Sequence, residues 1–284
     1  MTLLYWYRLP LAIVISTIAT GIGIGGATFF APLFILGLGM PPEVGIGTAL
    51  IIEVFGFGSG LYAYARRRLI DYQLGTAMLV TTIPLALLGT WMAGVTEPNI
   101  LKAILGVGLF AVAANSLRAP EQKTVERMDP AIEQEYGGEK GETCLISSEG
   151  QEICYTVCNR TEGRLVAAVG ALFKGMIATG LGETDEHFFL ERCQVPSVVS
   201  VATGVFVLLF TTLFASAGYL VRFALGGAQE LATALSLAIF AIPGVMLGGQ
   251  VGPWIVAQFP QRALERGLHI LLLVAAVTLV EGPL

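Results

Sequence analysis

Charge is what this sequence has least of. Only 13% of its 284 residues are Asp, Glu, Lys or Arg, where a soluble domain of this size carries about 25%. That excludes an ordinary soluble protein and a soluble domain on a single anchor. Histidine is nearly absent, with only His187 and His269, which leaves an intramembrane hydrolase short of a base. Its best nucleophile, Ser59 in Gly56-Phe-Gly-Ser-Gly60, has Phe57 where the usual elbow has glycine, so no enzyme is expected. The four cysteines show no zinc-type pairing, so no metal site is expected, and no cofactor either. No basic run suits nucleic acid, and the net charge of −5 says little about partners. No clean small-x-small cleavage site follows the first apolar run, so Tyr5, Trp6 and Tyr7 read as an interfacial aromatic belt.

What is present is apolar sequence: 55% of residues are hydrophobic and the mean hydropathy is +0.74. A full crossing needs about 20 apolar residues. Six segments qualify, at about 43–65, 72–94, 98–117, 197–222, 228–255 and 262–281. Four others, 9–20, 26–38, 164–180 and 184–196, are too short to cross singly, and each pair of them meets at a glycine-rich break. The expected fold is an all-α polytopic membrane protein of two inverted repeats, each a re-entrant broken-helix hairpin plus three full transmembrane helices. The alternative for 9–38 is one long kinked helix whose glycines serve close packing.

The repeat is visible in the residues. Thr20-Gly-Ile-Gly-Ile-Gly-Gly-Ala-Thr-Phe-Phe30 returns as Thr179-Gly-Leu-Gly-Glu-Thr-Asp-Glu-His-Phe-Phe189, and Ile83-Pro84 with Gly89 returns as Ile242-Pro243 with Gly248, both at an offset of 159 residues. Paired interruptions in the two halves of a membrane protein point to a transport site at the midplane.

Orientation follows from cations. Arg66, Arg67 and Arg68 place the loop between the first two long crossings in the cytoplasm. Counting crossings, Arg262 and Arg266 also fall inside, Arg222 falls in an outer loop, and the two hairpins enter from opposite sides. The expected division is residues 1–117 as the first transmembrane repeat, 118–163 as a polar cytoplasmic connecting loop and 164–284 as the second, inverted repeat. Within the loop, Cys144-Leu-Ile-Ser and Glu152-Ile-Cys-Tyr-Thr-Val read as a small β-hairpin. Inside the cell, Cys144, Cys154 and Cys158 stay reduced; were the loop outside, a Cys144–Cys154 disulfide would be plausible.

The expected site is built from both breaks. Gly23, Gly25 and Gly26 turn the chain so that a helix restarting near Ala27 presents N–H groups to the midplane, and a second restart near Thr184, beyond Gly182, points to the same place. Helix N-termini favour anions, so the expected substrate is a small anion. Thr28, Thr48, Thr179 and Thr203 offer hydroxyl donors, although threonine also satisfies helix backbone harmlessly. Lys174 lies about 15 Å into its apolar arm at 1.5 Å per residue, where a cation is costly. It either attracts the anion or forms a structural pair with Glu53, which is similarly deep; if paired, Glu53 releases Lys174 when substrate arrives. Glu183, Asp185, Glu186 and His187 are candidates for coupling or gating, or line a solvated hairpin mouth. His269 reads as a buried polar contact.

Several of these motifs, taken in order, resemble the TauE/SafE family of sulfite exporters. They are Gly-Ile-Gly-Gly-Ala-Thr-Phe-Phe-Ala-Pro-Leu at 23–33, Val44-Gly-Ile-Gly-Thr-Ala-Leu50, the arginine loop followed by Leu69-Ile-Asp-Tyr-Gln-Leu, and Ile83-Pro84 with Gly89. Val201-Ala-Thr-Gly204 and Ile242-Pro-Gly-Val-Met-Leu-Gly-Gly249 echo them. The resemblance covers nearly the whole chain outside 118–163. It implies export of sulfite or a small organosulfonate through the cell inner membrane by a multi-pass protein. The carboxylates at 183–186 depart from the glycine-rich second copy usual in that family. Sulfite attacks disulfides, which makes Cys193 a candidate for substrate sensing. The expected partners are the small anion and the lipid bilayer; a homo-oligomer stays open, as do uniport, proton-linked exchange and bisulfite export. The competing readings are an exporter of an organosulfonate or other anion, an anion channel and an intramembrane enzyme.

Overall fold

A computed structural model describes residues 26–116, 143–148, 150, 152–155, 160–186, 188–189, 195–256 and 270–279. In chain order the helices are α1 (Ala27–Pro32), which continues as a π-helical turn over Leu33–Gly37, α2 (Pro42–Arg67), α3 (Tyr72–Val95) and α4 (Pro98–Ser116). Then come strands β1 (Thr143–Ile146) and β2 (Glu152–Tyr155), followed by α5 (Arg160–Ile177), α6 (Leu181–Glu186), α7 (Ser197–Gly226) and α8 (Ala228–Val256). A last apolar helix, α9, spans Ile270–Leu279.

The helix ends follow local chemistry. Pro42 opens α2 at the position where its missing N–H costs nothing. Arg68 closes α2 in the left-handed conformation. Asp71 caps α3 by accepting a hydrogen bond from the Leu74 N–H at 2.9 Å.

Among the described residues, four helices are long and apolar enough to cross a membrane: Pro42–Arg67, Tyr72–Val95, Val198–Gly226 and Gln229–Gly248. These match four of the six expected crossings. The fifth, α4, has 19 residues, and its apolar part, Pro98–Ala114, is shorter than a full span. The sixth, 262–281, is described only from Ile270. Arg222 lies inside α7, not in a loop as expected, because α7 extends four residues past it.

The helices pack by close approach at small residues. The α3 and α5 axes lie so near one another that a Cβ at Gly89 or Gly175 would collide with the backbone carbonyl of Leu172 or Ala86. Close backbone approach at small residues is how helices associate where lipid offers no hydrophobic driving force. Helices α2 and α7 run antiparallel. Gly47 near the start of α2 sits against Tyr219 and Phe223 near the end of α7, while Asp71, just past α2, binds Thr203 near the start of α7. Helices α3 and α7 run parallel, with Gly75 against Phe206 and Thr82 hydrogen-bonded to Thr211 at 2.9 Å.

The two strands form the expected hairpin, antiparallel and with Cys144 opposite Cys154. These cysteines are joined in a disulfide, where the sequence places reduced thiols. The register is the reason: directly opposed residues bring their Cα atoms to 4.1 Å. The Glu152 carboxylate and the two sulfurs lie within 4.8 Å of one another, but sulfurs bonded to each other are not thiolate ligands for a metal. Helix α5 begins at Arg160.

Candidate functional site

The second glycine phrase breaks the helix. Between α5 and α6 the chain turns at Ala178 (φ 64°) and Gly180 (φ 112°). The left-handed region is costly for a residue with a Cβ, so Ala178 is held there by its surroundings. Helix α6 restarts at Leu181, three residues before the position expected from the sequence, and the Thr184 N–H bonds back to the Gly180 carbonyl at 3.1 Å. At the first phrase, α1 starts at Ala27, as expected. The start of α1 and the break after α5 come together: the Thr28 hydroxyl donates to the Thr179 hydroxyl oxygen at 3.4 Å, both side chains being buried.

Two ionisable groups stand at this junction. Glu53, on α2, uses Oε1 to accept the Ala27 N–H at 3.1 Å. Its Oε2 is 2.6 Å from Lys174 Nζ. The Lys174 ammonium also donates to the Ala178 carbonyl at 3.2 Å and stands 5.7 Å from the centre of the Phe57 ring. Both charged side chains are nearly inaccessible, Lys174 at 3% and Glu53 at 2%. A carboxylate thus sits at the N-terminal end of α1 and an ammonium at the C-terminal end of α5, each where the helix dipole stabilises it. The N–H of Ala27, expected to await a substrate, is occupied by a protein oxyanion. Tyr219 supports the floor of the junction by donating to the Gly175 carbonyl at 2.9 Å.

The structure therefore brings together Gly26, Thr28, Glu53, Lys174 and Thr179. It takes Thr48 and Thr203 elsewhere. The Thr48 hydroxyl donates to the Val44 carbonyl one turn back, at 2.7 Å. The Thr203 hydroxyl accepts the Asp71 N–H at 3.0 Å, beside the connecting hairpin. Gly182, in α6, faces Leu208 of α7, where an added Cβ would stand at ordinary contact, 3.5 Å. Glu183 and Asp185 fall in α6. Gly23, Gly25, His187, Cys158, Cys193 and His269 lie outside the described residues.

Sequence reasoning missed Phe57, although it lies one helical turn after Glu53 and so shares its face. It also missed the pair formed by Glu43 Oε1 and Arg222 Nε at 2.6 Å, whose members are 179 residues apart. A cavity of about 610 Å³ extends to Thr179, lined by Ile104, Val107 and Gly108 of α4 and by Phe173 and Ile177 of α5.

Comparison with known proteins gives this architecture its setting. A family model described as "Sulfite exporter TauE/SafE" matches residues 9–279. The chain is 21% identical over 280 residues to "Probable membrane transporter protein YunE" of Bacillus subtilis (strain 168), covering 96% of each chain. It is 33% identical over 89 residues to "Probable membrane transporter protein ORF9" of Sinorhizobium sp, covering 31% of this chain and 34% of the relative. No solved structure matches it significantly. Several apolar helices and a family match over nearly its whole length make this chain a multi-pass membrane protein of the TauE/SafE family of membrane transporters.

Proposed function

We propose that this protein exports a small sulfur oxyanion, sulfite in the first instance, from the cytoplasm across the inner membrane by alternating access. The observation that carries the reading is the Glu53 carboxylate at the junction. It holds the α1 N–H and the Lys174 ammonium at once, which is how an incoming oxyanion would be held. Substrate takes the place of Glu53 on Lys174 and on the Ala27 N–H, with the Thr28 and Thr179 hydroxyls as further donors. Lys174 is then never left alone in a low-dielectric interior, where an unpaired charge is strongly unfavourable.

The energetics suit export. Moving one charge through 100 mV is worth about 2.3 kcal/mol, and a cell interior that is negative drives an anion outward. The antiparallel contact of α2 with α7, the first long helices of the two halves, supports an inverted-repeat arrangement in which one half rocks against the other. The meeting of Glu43 with Arg222 supports the same topology, since it sets the start of α2 and the end of α7 on one side, opposite the arginine loop.

A second reading, export of a small organosulfonate, is favoured by the cavity beside Thr179. Its walls are apolar and could take an alkyl chain whose sulfonate lies at Lys174. Efflux from proteoliposomes loaded with sulfite, taurine-like sulfonates or sulfate tests both readings. Saturable sulfite efflux supports the first, sulfonate efflux without sulfite efflux supports the second, and efflux of neither overturns both.

A further inference from the structure

The connecting hairpin is fastened to the membrane body by a polar network that is buried at Tyr155, Asp71 and Thr203. The Ser148 N–H donates to the Arg67 carbonyl at 3.0 Å. Tyr155, fully buried, donates its hydroxyl to Asp71 Oδ2 at 2.8 Å. The same carboxylate caps α3 through Leu74, and the Asp71 N–H reaches Thr203 on α7. One buried aspartate thus joins the hairpin, the arginine loop and the second half of the chain. Leu145 and Ile153 pack against the core beside it.

The hairpin shares its side of the protein with Arg66, Arg67 and Arg68, the side that loop cations assign to the cytoplasm. Disulfides are rare there as structural staples, and those that occur are in most cases transient and catalytic or redox-sensing. The Cys144–Cys154 bond stands one residue before Tyr155, with Cys144 exposed to solvent.

We infer that Cys144–Cys154 is a reactive disulfide that latches the hairpin over the cytoplasmic end, and that a sulfur nucleophile opens it. The nucleophile is a thiolate or sulfite; the sulfite route rests on the proposed cargo and the thiol route does not. The lone pair on the attacking sulfur forms a bond to the exposed Cys144 Sγ. The Cys144–Cys154 bond breaks, and Cys154 departs with the electron pair as a thiolate that takes a proton from water. Sulfite leaves an S-sulfonate on Cys144. A thiol leaves a mixed disulfide, which a second thiol resolves to two free cysteines. Nothing but the nucleophile is consumed.

Cleavage by sulfite replaces a neutral link with an anionic S-sulfonate and a titratable thiol, beside the Glu152 carboxylate on the partner strand. Glu152 pairs with Ile146 and so lies diagonal to Cys144, within reach of the new anion, and two like charges this close repel. A two-stranded hairpin has little stability of its own, and each strand here has four residues. Opening the bond therefore loosens the ladder that seats Tyr155 on Asp71 and, through Asp71, the tie between α3 and α7.

The test uses the full chain carrying Cys158→Ser and Cys193→Ser in lipid nanodiscs, oxidised with oxidised glutathione and then given sulfite, reduced glutathione or sulfate. Intact mass reports the bond, and hydrogen exchange of the Ile153–Tyr155 amides reports the latch. The expected result is cleavage by sulfite, by glutathione or by both, with exchange rising several-fold in step, and neither change with sulfate. Cleavage by glutathione alone names redox poise as the signal; cleavage by sulfite alone names the cargo. Failure of the bond to form, resistance to both nucleophiles, or cleavage with unchanged exchange would overturn the latch. Because no transport is measured, failure here is separable from failure of the export reading. A Cys144→Ser, Cys154→Ser variant should show the high-exchange state without any nucleophile.

Discussion

Two ion pairs in this protein share one separation and differ in their surroundings. Glu53–Lys174 and Glu43–Arg222 both have an N···O distance of 2.6 Å. The first is 2–3% exposed and the second 30%. Water screens the second, so it contributes at most about 1 kcal/mol. The first has no such relief. Loss of one partner leaves a bare charge in the interior, at about 3–5 kcal/mol. The comparison separates a tie that can open and close cheaply from one that has to be exchanged rather than broken. Under the proposed function the deep cation exchanges one anion for another, while the peripheral contact parts as the halves move.

The sharpest way to break the contrast is to remove the deep cation. Lys174→Met leaves Glu53 buried without its counter-ion and should destabilise the protein by about 3–5 kcal/mol, read as a lowered melting temperature in detergent. Adding Glu53→Gln to that variant should restore most of the loss, because both charges are then gone. If Lys174→Met alone is silent, the deep pair carries no special constraint.

Next comes the packing that holds Lys174 in place. Gly175→Ala puts a Cβ into the Ala86 carbonyl and should cost about 1–3 kcal/mol, as overpacked sites do. Thermal unfolding measures it, and a neutral result would mean that α3 and α5 can separate freely. Tyr155→Phe removes a hydrogen bond to a buried carboxylate and should cost about 1.5–3 kcal/mol, with faster hydrogen exchange at the hairpin and no change at Lys174. Smallest of all, Glu43→Gln should shift stability by less than about 1 kcal/mol, and the difference should shrink further in high salt. A large effect at Glu43 would erase the distinction on which the comparison rests.

The sequence disclosed the deep pair better than the rest of the site, for a physical reason. A lysine and a glutamate far inside apolar runs are expensive alone, so each asks for a partner at similar depth, and here they are each other's. The break at Thr179-Gly180 was legible because glycine phrases interrupt apolar helices. The threonines were not legible in the same way. Thr48 satisfies its own helix and Thr203 binds Asp71, and nothing in a threonine's neighbours distinguishes those uses from ligation. Contacts set by tertiary packing also escaped, among them Tyr155 on Asp71 and Glu43 on Arg222, because exposed-looking residues in separate segments carry no mark of meeting. The cysteines show a rule competing with a geometry. Compartment argued for thiols, whereas strand register put Cys144 against Cys154.

The most direct measurement is calorimetric titration of sulfite into three purified forms: the native chain, Glu53→Gln and Lys174→Met. If the carboxylate occupies the oxyanion's place, Glu53→Gln should bind sulfite more tightly than the native protein, and Lys174→Met should not bind it. Equal affinity in all three forms would contradict the exchange of Glu53 for substrate at Lys174.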